Sequence, residues 1–238
     1  MEGVVPFPPE FAAAYRAKGL WDDRPLRAVF KDWCDRFSTR VAVCDANRQV
    51  TFAELEQRST NLALNLLDLG LRPQDRLVVQ LPNVIEFAYL HFALQKIGAI
   101  PVMALPPHRF REVSFFVETS SAVGTVTPDH HKDFSFIDMT ERIRQSAPHL
   151  KHRIVLGTAS GGAVSLTELI ERPASRSVDD LASIEIDPDL PALFLLSGGT
   201  TGIPKLIASA KTFGNASVID EEWLCRRRRQ ATLADVGT

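Results

Sequence analysis

The sequence contains few cysteines and no excess of either charge, and both shortages exclude classes of protein. Its three cysteines, Cys34, Cys44 and Cys225, are odd in number and have no CxxC spacing, so neither a disulfide framework nor a zinc site is predicted. The 27 basic and 29 acidic residues give a formal net charge of -2, which provides no general attraction for nucleic acid or an anionic membrane. We therefore predict a small-molecule substrate and a reducing, cytoplasmic location.

Long apolar runs are also missing. Residues 1–11 lack a basic start followed by an apolar core, and no later segment has the unbroken apolar length that spans a bilayer. We expect a soluble protein without a membrane partner. With 238 residues and 45% hydrophobic content, the chain is long enough to bury a substantial core, as one large domain or two small ones.

Apolar spacing in the first third of the chain predicts helices around a hairpin. Residues 26–37 repeat apolar side chains at intervals of three and four, which places them on one helix face. Residues 41–46 and 49–52 read as two short strands joined by a tight turn. Thr51 followed by Glu54 has the form of a capping box, which predicts a helix that Gly70 can close.

From residue 76 onward, buried strands alternate with helices. Strands are predicted within 76–81, 100–105, 123–127, 153–157 and 192–199, and helical segments lie between them. This order predicts an α/β fold, a layered and mostly parallel sheet with flanking helices and right-handed crossovers. Residues 172–191 are rich in proline and acidic side chains and are predicted to form a surface loop. One set of aromatic side chains is predicted to pack in the core: Phe87, Tyr89, Phe92, Phe115 and Phe116.

The strongest functional signal is the stretch 193–207, in which a buried strand runs into a loop of glycine and hydroxyl residues. Glycines expose backbone N–H groups to an anion, hydroxyls add donors and a lysine adds positive charge, so the loop suits a triphosphate. The predicted phosphate ligands are Ser197, Gly198, Gly199, Thr200, Thr201, Gly202 and Lys205.

Other phosphate-binding motifs fit this loop poorly. A Walker A loop ends in Gly-Lys-Ser/Thr, whereas Ile203 and Pro204 separate Gly202 from Lys205. This spacing disfavours P-loop NTPases and kinases, and no GxGxxG occurs at a strand-to-helix junction, which argues against a dinucleotide site. A loop without function is the remaining alternative, since Gly, Ser and Thr are common in turns.

Three further features of the sequence invite a functional interpretation. His130 and His131 lie between Asp129 and Asp133, but their spacing suits a surface loop better than a metal site. The basic run 226–229 is interpreted as a solvated tail. His108-Arg109 follows a predicted strand, at the position where parallel sheets carry functional loops.

The stretch SGGTTGIPK resembles the phosphate loop of the adenylate-forming superfamily. Its Leu-Ser-Gly-Gly form resembles the subgroup that activates 2,3-dihydroxybenzoate or salicylate for siderophore assembly, and so do residues 8–26, 75–109 and 196–207 in the same order. The resemblance implies an acyl-adenylate-forming ligase. An aromatic carboxylate would attack the α-phosphate of ATP with Mg²⁺ present, and the acyl-adenylate would pass to the phosphopantetheine thiol of an aryl carrier protein.

The resemblance covers residues 8–207 and ends abruptly there. We therefore expect 1–207 to be the amino-terminal part of an AMP-binding (adenylation) domain and 208–238 to be a divergent tail outside that fold. Because the family's remaining active-site residues would lie further on, this truncated chain is not expected to complete the reaction. The alternative interpretation is a non-catalytic remnant with weak nucleotide or protein binding.

Overall fold

The computed structural model describes residues 7–197, 204–210 and 212–214. The helices are α1 (Pro9–Ala17), α2 (Leu26–Arg36), α3 (Phe52–Asp68), α4 (Ile85–Ile97), α5 (Phe110–Ser120), α6 (Phe136–Ser146), α7 (Leu166–Glu171) and α8 (Val178–Ala182). The strands are β1 (Trp21–Pro25), β2 (Val41–Cys44), β3 (Gln49–Thr51), β4 (Arg76–Val79), β5 (Ile100–Met103), β6 (Gly124–Pro128), β7 (His130–His131), β8 (Phe134–Ser135), β9 (His152–Leu156), β10 (Val164–Ser165), β11 (Pro191–Leu196), β12 (Leu206–Ala210) and β13 (Thr212–Gly214).

The described part of the chain divides into two compact units, and the smaller one contains residues 7–24 and 212–214. In this unit β1 and β13 form a two-stranded sheet. The ring of Trp21 lies 4.9 Å from that of Phe7 and 5.6 Å from that of Tyr15, and Arg16 pairs with Asp23 at 2.6 Å. Aromatic contacts between α1 and β1 therefore hold this short segment together.

The larger unit, residues 25–211, is built on a seven-stranded sheet with the order β10-β9-β6-β4-β5-β11-β12. Every neighbouring pair is parallel except β11 and β12, which are antiparallel. The predicted α/β fold with a mostly parallel sheet is confirmed. The predicted hairpin at residues 41–52 is also present, as β2 paired antiparallel with β3.

Helices cover both faces of this sheet. The main core packs α2, α3, α4 and α7 against Leu77, Val79, Val126 and Ile154 of the strands, whereas α5 and α6 contact β4 and β6. The chain moves from β4 to β5 in one direction and from β5 to β6 in the other, so right-handed crossovers put α4 and α5 on opposite faces. Four members of the aromatic set pack as predicted, with Tyr89 and Phe116 buried and Phe87 and Phe92 against the core, whereas Phe115 is half-buried.

The prediction of a surface loop at 172–191 is wrong in part, because this segment contains the short helix α8. The hydroxyl of Ser177 accepts a hydrogen bond from the N–H of Asp179 at 3.2 Å, and Leu181 is buried. Ser, Asp and Asn often cap helices in this way, and Asp179 and Asp180 add favourable charge in the first turn. Among the residues that the structure describes, no helix is long and apolar enough to cross a membrane.

One half of the predicted capping box of α3 is present and gives a test of local stability. The hydroxyl of Thr51 accepts a hydrogen bond from the N–H of Glu54 at 3.2 Å. Thr51→Ala should lower the free energy of unfolding by about 1 kcal/mol, because this N–H loses its partner. Urea denaturation measures the change, with Thr119→Ala, in the last turn of α5, as the control substitution. Equal stability of the two variants would show that the cap contributes nothing.

Candidate functional site

β11 places the start of the candidate phosphate loop at the carboxyl edge of the sheet. β11 is parallel to β5, with Phe194 opposite Val102, and Ala192 and Phe194 are buried. Parallel strands end at the same edge, so Ser197, directly after β11, lies where β4, β5, β6 and β9 also end. Open α/β sheets bind ligands at this edge.

Ser197 and Lys205 close the base of the loop, and we call this pair the loop neck. The N–H of Ser197 donates to the carbonyl oxygen of Lys205 at 2.9 Å, and the N–H of Lys205 donates to the hydroxyl oxygen of Ser197 at 3.0 Å. The Lys205 side chain is exposed. The structure thus brings together the first and last of the predicted phosphate ligands.

The five predicted ligands between them, Gly198, Gly199, Thr200, Thr201 and Gly202, lie outside the described residues. The role of all seven residues in phosphate binding stays a prediction. The predicted domain boundary at residue 207 falls inside β12, which continues from Leu206 to Ala210, and it too stays a prediction.

A second loop at the same edge, residues 104–109, is fixed by a buried amide. The Nε2 of Gln80, which follows β4, donates to the carbonyl oxygens of Leu105 at 2.8 Å and His108 at 2.9 Å. Gln80 is 1% exposed, so these bonds are formed away from water, where leaving a donor unmatched is costly. Gln80 therefore stiffens the loop that follows β5, which is the strand next to β11 in the sheet.

His108 and Arg109, singled out from the sequence, hold this second loop in shape. The Nδ1 of His108 accepts a hydrogen bond from the N–H of Leu105 at 3.0 Å, and burial lowers the pKa of His108. Arg109 lies over the ring of Phe134 at 4.2 Å and donates to the carbonyl oxygen of Pro106 at 2.8 Å. A neutral imidazole with an unprotonated Nδ1 suits this contact. The observed role of both side chains is local support.

Asp129 ties together the ends of β6 and β9. Its carboxylate accepts hydrogen bonds from the N–H of Thr158 at 2.9 Å and of His130 at 2.6 Å. These backbone bonds, with that of Thr158 the largest contribution, lower the pKa of Asp129. The sequence did not predict these structural roles of Asp129 and Gln80. Their common signal is a polar residue at the end of a buried parallel strand.

The neighbouring histidines form a short exposed hairpin. His130 and His131 make up β7, which pairs antiparallel with β8, and both side chains are exposed. Within the described residues, no group of three or more His, Cys, Asp or Glu side chains could hold a metal ion. The segment predicted as a surface loop is therefore an exposed two-stranded hairpin.

Comparison with known proteins identifies the family. The model of the AMP-binding enzyme family matches residues 30–216. The chain belongs to the AMP-binding enzyme family. The match supports the resemblance inferred from the 197–205 loop and extends beyond Ile207.

Two relatives show more closely which kind of protein this chain resembles. The chain is 45% identical over 211 residues to triostin synthetase I of Streptomyces triostinicus. It is 43% identical over 210 residues to a salicyl-AMP ligase / salicyl-S-ArCP synthetase of Mycobacterium tuberculosis. These alignments cover 88% and 86% of this chain but 38% and 36% of the relatives. The chain therefore spans little more than a third of their length.

A solved structure has the same fold over the part that it shares with this chain. The apo structure of MbtA from Mycobacterium smegmatis is 40% identical in sequence and superimposes with a TM-score of 0.78. The superposition covers 88% of this chain and 38% of that one. The layered, mostly parallel sheet described above is thus part of an adenylate-forming fold, and the resemblance to the aryl-acid subgroup is confirmed.

Proposed function

We propose that this chain supplies the ATP-phosphate-binding part of a ligase that activates an aromatic carboxylic acid to its acyl-adenylate. The observation that carries the proposal is the loop neck at the carboxyl end of β11, in a chain 43% identical to a salicyl-AMP ligase. The neck sets Lys205 beside the start of a loop rich in glycine and hydroxyl groups. Those groups match the oxygens of a polyphosphate.

The loop would act by positioning the leaving group. Backbone N–H groups, hydroxyls and the Lys205 ammonium would hold the β- and γ-phosphates of ATP and orient the α-phosphate for in-line attack by the carboxylate. Mg²⁺ bound to the phosphates would neutralise charge on the departing pyrophosphate. The loop's hydroxyls and lysine suit phosphate oxygens, and Mg²⁺ bound with nucleotides commonly takes substrate phosphates and water among its ligands.

For the whole protein, the proposal also includes the carboxylic acid substrate and the acceptor of the acyl group. Salicylate or 2,3-dihydroxybenzoate is proposed as the substrate, and the phosphopantetheine thiol of an aryl carrier protein as the acceptor in siderophore assembly. The salicyl-S-ArCP synthetase relative supports both steps. A reaction of this kind in the cytoplasm, where ATP is available, fits the small-molecule chemistry inferred from the near-neutral charge.

The charge of Lys205 is the first test. Lys205→Ala should weaken binding of Mg-ATP to this chain about tenfold, or about 1.4 kcal/mol, because an exposed ammonium that contacts phosphate is lost. Isothermal titration calorimetry measures the affinity. Lys151→Ala is the matched control, since Lys151 is also exposed but precedes β9 at the opposite edge of the sheet. Equal affinities of the two variants would contradict the assignment of Lys205.

The acid is tested in a chimera in which residues 26–207 replace the matching part of the Mycobacterium tuberculosis salicyl-AMP ligase. The chimera should exchange pyrophosphate into ATP in the presence of salicylate or 2,3-dihydroxybenzoate, and Lys205→Ala should slow this exchange without weakening acid binding. A folded chimera that exchanges with neither acid would contradict the proposed function.

A further inference from the structure

Hydrogen bonding in the loop neck differs from regular antiparallel pairing in one acceptor atom. Leu196 lies opposite Leu206 in the last pair of the β11–β12 ladder, so Ser197 and Lys205 are the next residues along. In an antiparallel ladder, pairs that exchange two backbone hydrogen bonds alternate with pairs that exchange none, and a backbone bond between Ser197 and Lys205 makes this pair one of the first kind. The first is present, from the Ser197 N–H to the Lys205 carbonyl oxygen. The second is redirected, because the Lys205 N–H donates to the Ser197 hydroxyl.

This redirected bond gives the hydroxyl a structural task. The side chain takes the place of the Ser197 carbonyl, so ladder pairing stops at this residue while the two ends of the loop stay joined. Ser and Thr side chains compete with the backbone in this manner at the ends of regular elements. The backbone of Lys205 is consequently fixed by Ser197 on one side and by the start of β12 on the other.

We propose that Ser197 is a positioning residue that acts on phosphate through Lys205. The hydroxyl holds the Lys205 backbone and thereby sets the direction in which the exposed ammonium leaves the loop neck. This inference rests on the proposed function, because it assigns Ser197 a role in the same site. A direct contact between the Ser197 hydroxyl and phosphate is the role expected from the sequence. A hydroxyl that accepts one hydrogen bond can still donate its proton, so the two roles are separated by experiment.

A double-mutant cycle separates them. Ser197→Ala should weaken Mg-ATP binding about fivefold in the unmodified chain but cause no further loss in the Lys205→Ala background, since coupled residues are not additive. Two independent phosphate contacts would instead give additive losses. Ser197→Thr keeps the hydroxyl and should restore the affinity. Ser209→Ala, on β12 of the same hairpin, is the control for a lost serine hydroxyl.

Amide hydrogen exchange gives a second readout without ligand. Exchange of the Lys205 N–H should rise at least about tenfold in Ser197→Ala and return to its original rate in Ser197→Thr, because protection reports the local opening of this bond. Additive losses of affinity, or unchanged exchange at Lys205, would overturn the inference while the proposed function stands. Failure of the unmodified chain to bind Mg-ATP would overturn the proposed function and the inference with it.

Discussion

Gly157→Ala should lower the free energy of unfolding by about 3 kcal/mol, because the new methyl group meets both backbone strain and a fixed carboxylate. Gly157 has a φ of +116°, a conformation that side chains rarely adopt, and a Cβ there would lie 2.5 Å from the Cγ of Asp129. The carboxylate cannot move away freely. Its two oxygens accept the N–H groups of Thr158 and His130, so any shift breaks the link between β6 and β9.

Gly162→Ala separates the two causes. Gly162 lies in the same loop with a φ of +79°, but a Cβ there would have nothing within 4 Å. Strain alone should cost this variant about 1 kcal/mol, and the difference between the two variants measures the clash with Asp129. Urea denaturation followed by circular dichroism gives both values. Equal losses would mean that the loop adjusts and that Asp129 imposes no close packing on it.

The parallel sheet could be predicted because its signals are local and repeated. The capping pair Thr51 and Glu54, the apolar face of residues 26–37 and the buried strands from residue 76 onward all appear in the structure. Strand order could not be obtained in this way. Whether β6 pairs with β4 or β5 depends on crossover direction, and the apolar patterns of these strands are alike.

The sequence predicts where the candidate site lies but not its detailed structure. The strand before the loop and the resemblance of SGGTTGIPK indicate its position, since the carboxyl end of a parallel strand is a known site for ligands, and its role in phosphate binding stays a prediction. The hydrogen bond from the Lys205 N–H to the Ser197 hydroxyl joins residues eight positions apart, and composition does not specify such a pairing. The five-residue helix α8 was missed for a related reason, because a capping serine has little weight in a proline-rich segment.

A partly buried ion pair beneath α2 could likewise not be predicted from the sequence. The Nζ of Lys96, on α4, lies 2.7 Å from the Oε2 of Glu56 on α3, and the two side chains are 9% and 24% exposed. The ammonium also lies 5.1 Å from the centre of the Phe30 ring. Beside this pair, burial and the charge of Glu56 raise the pKa of Cys34 to about 12. The pair therefore joins three helices at the edge of the core.

The two partners should respond unequally to mutation, because Lys96 is more shielded from water than Glu56. Glu56→Leu should cost about 3 kcal/mol, since it leaves the buried ammonium without its carboxylate. Lys96→Met should cost about 1 kcal/mol, since methionine retains most of the packing and Glu56 can reach water. The double variant should be more stable than Glu56→Leu alone, because it removes the uncompensated charge. Denaturant titration of the four proteins measures this coupling. Additive losses would contradict a direct interaction, and equal losses for the two single variants would contradict the proposed difference in shielding.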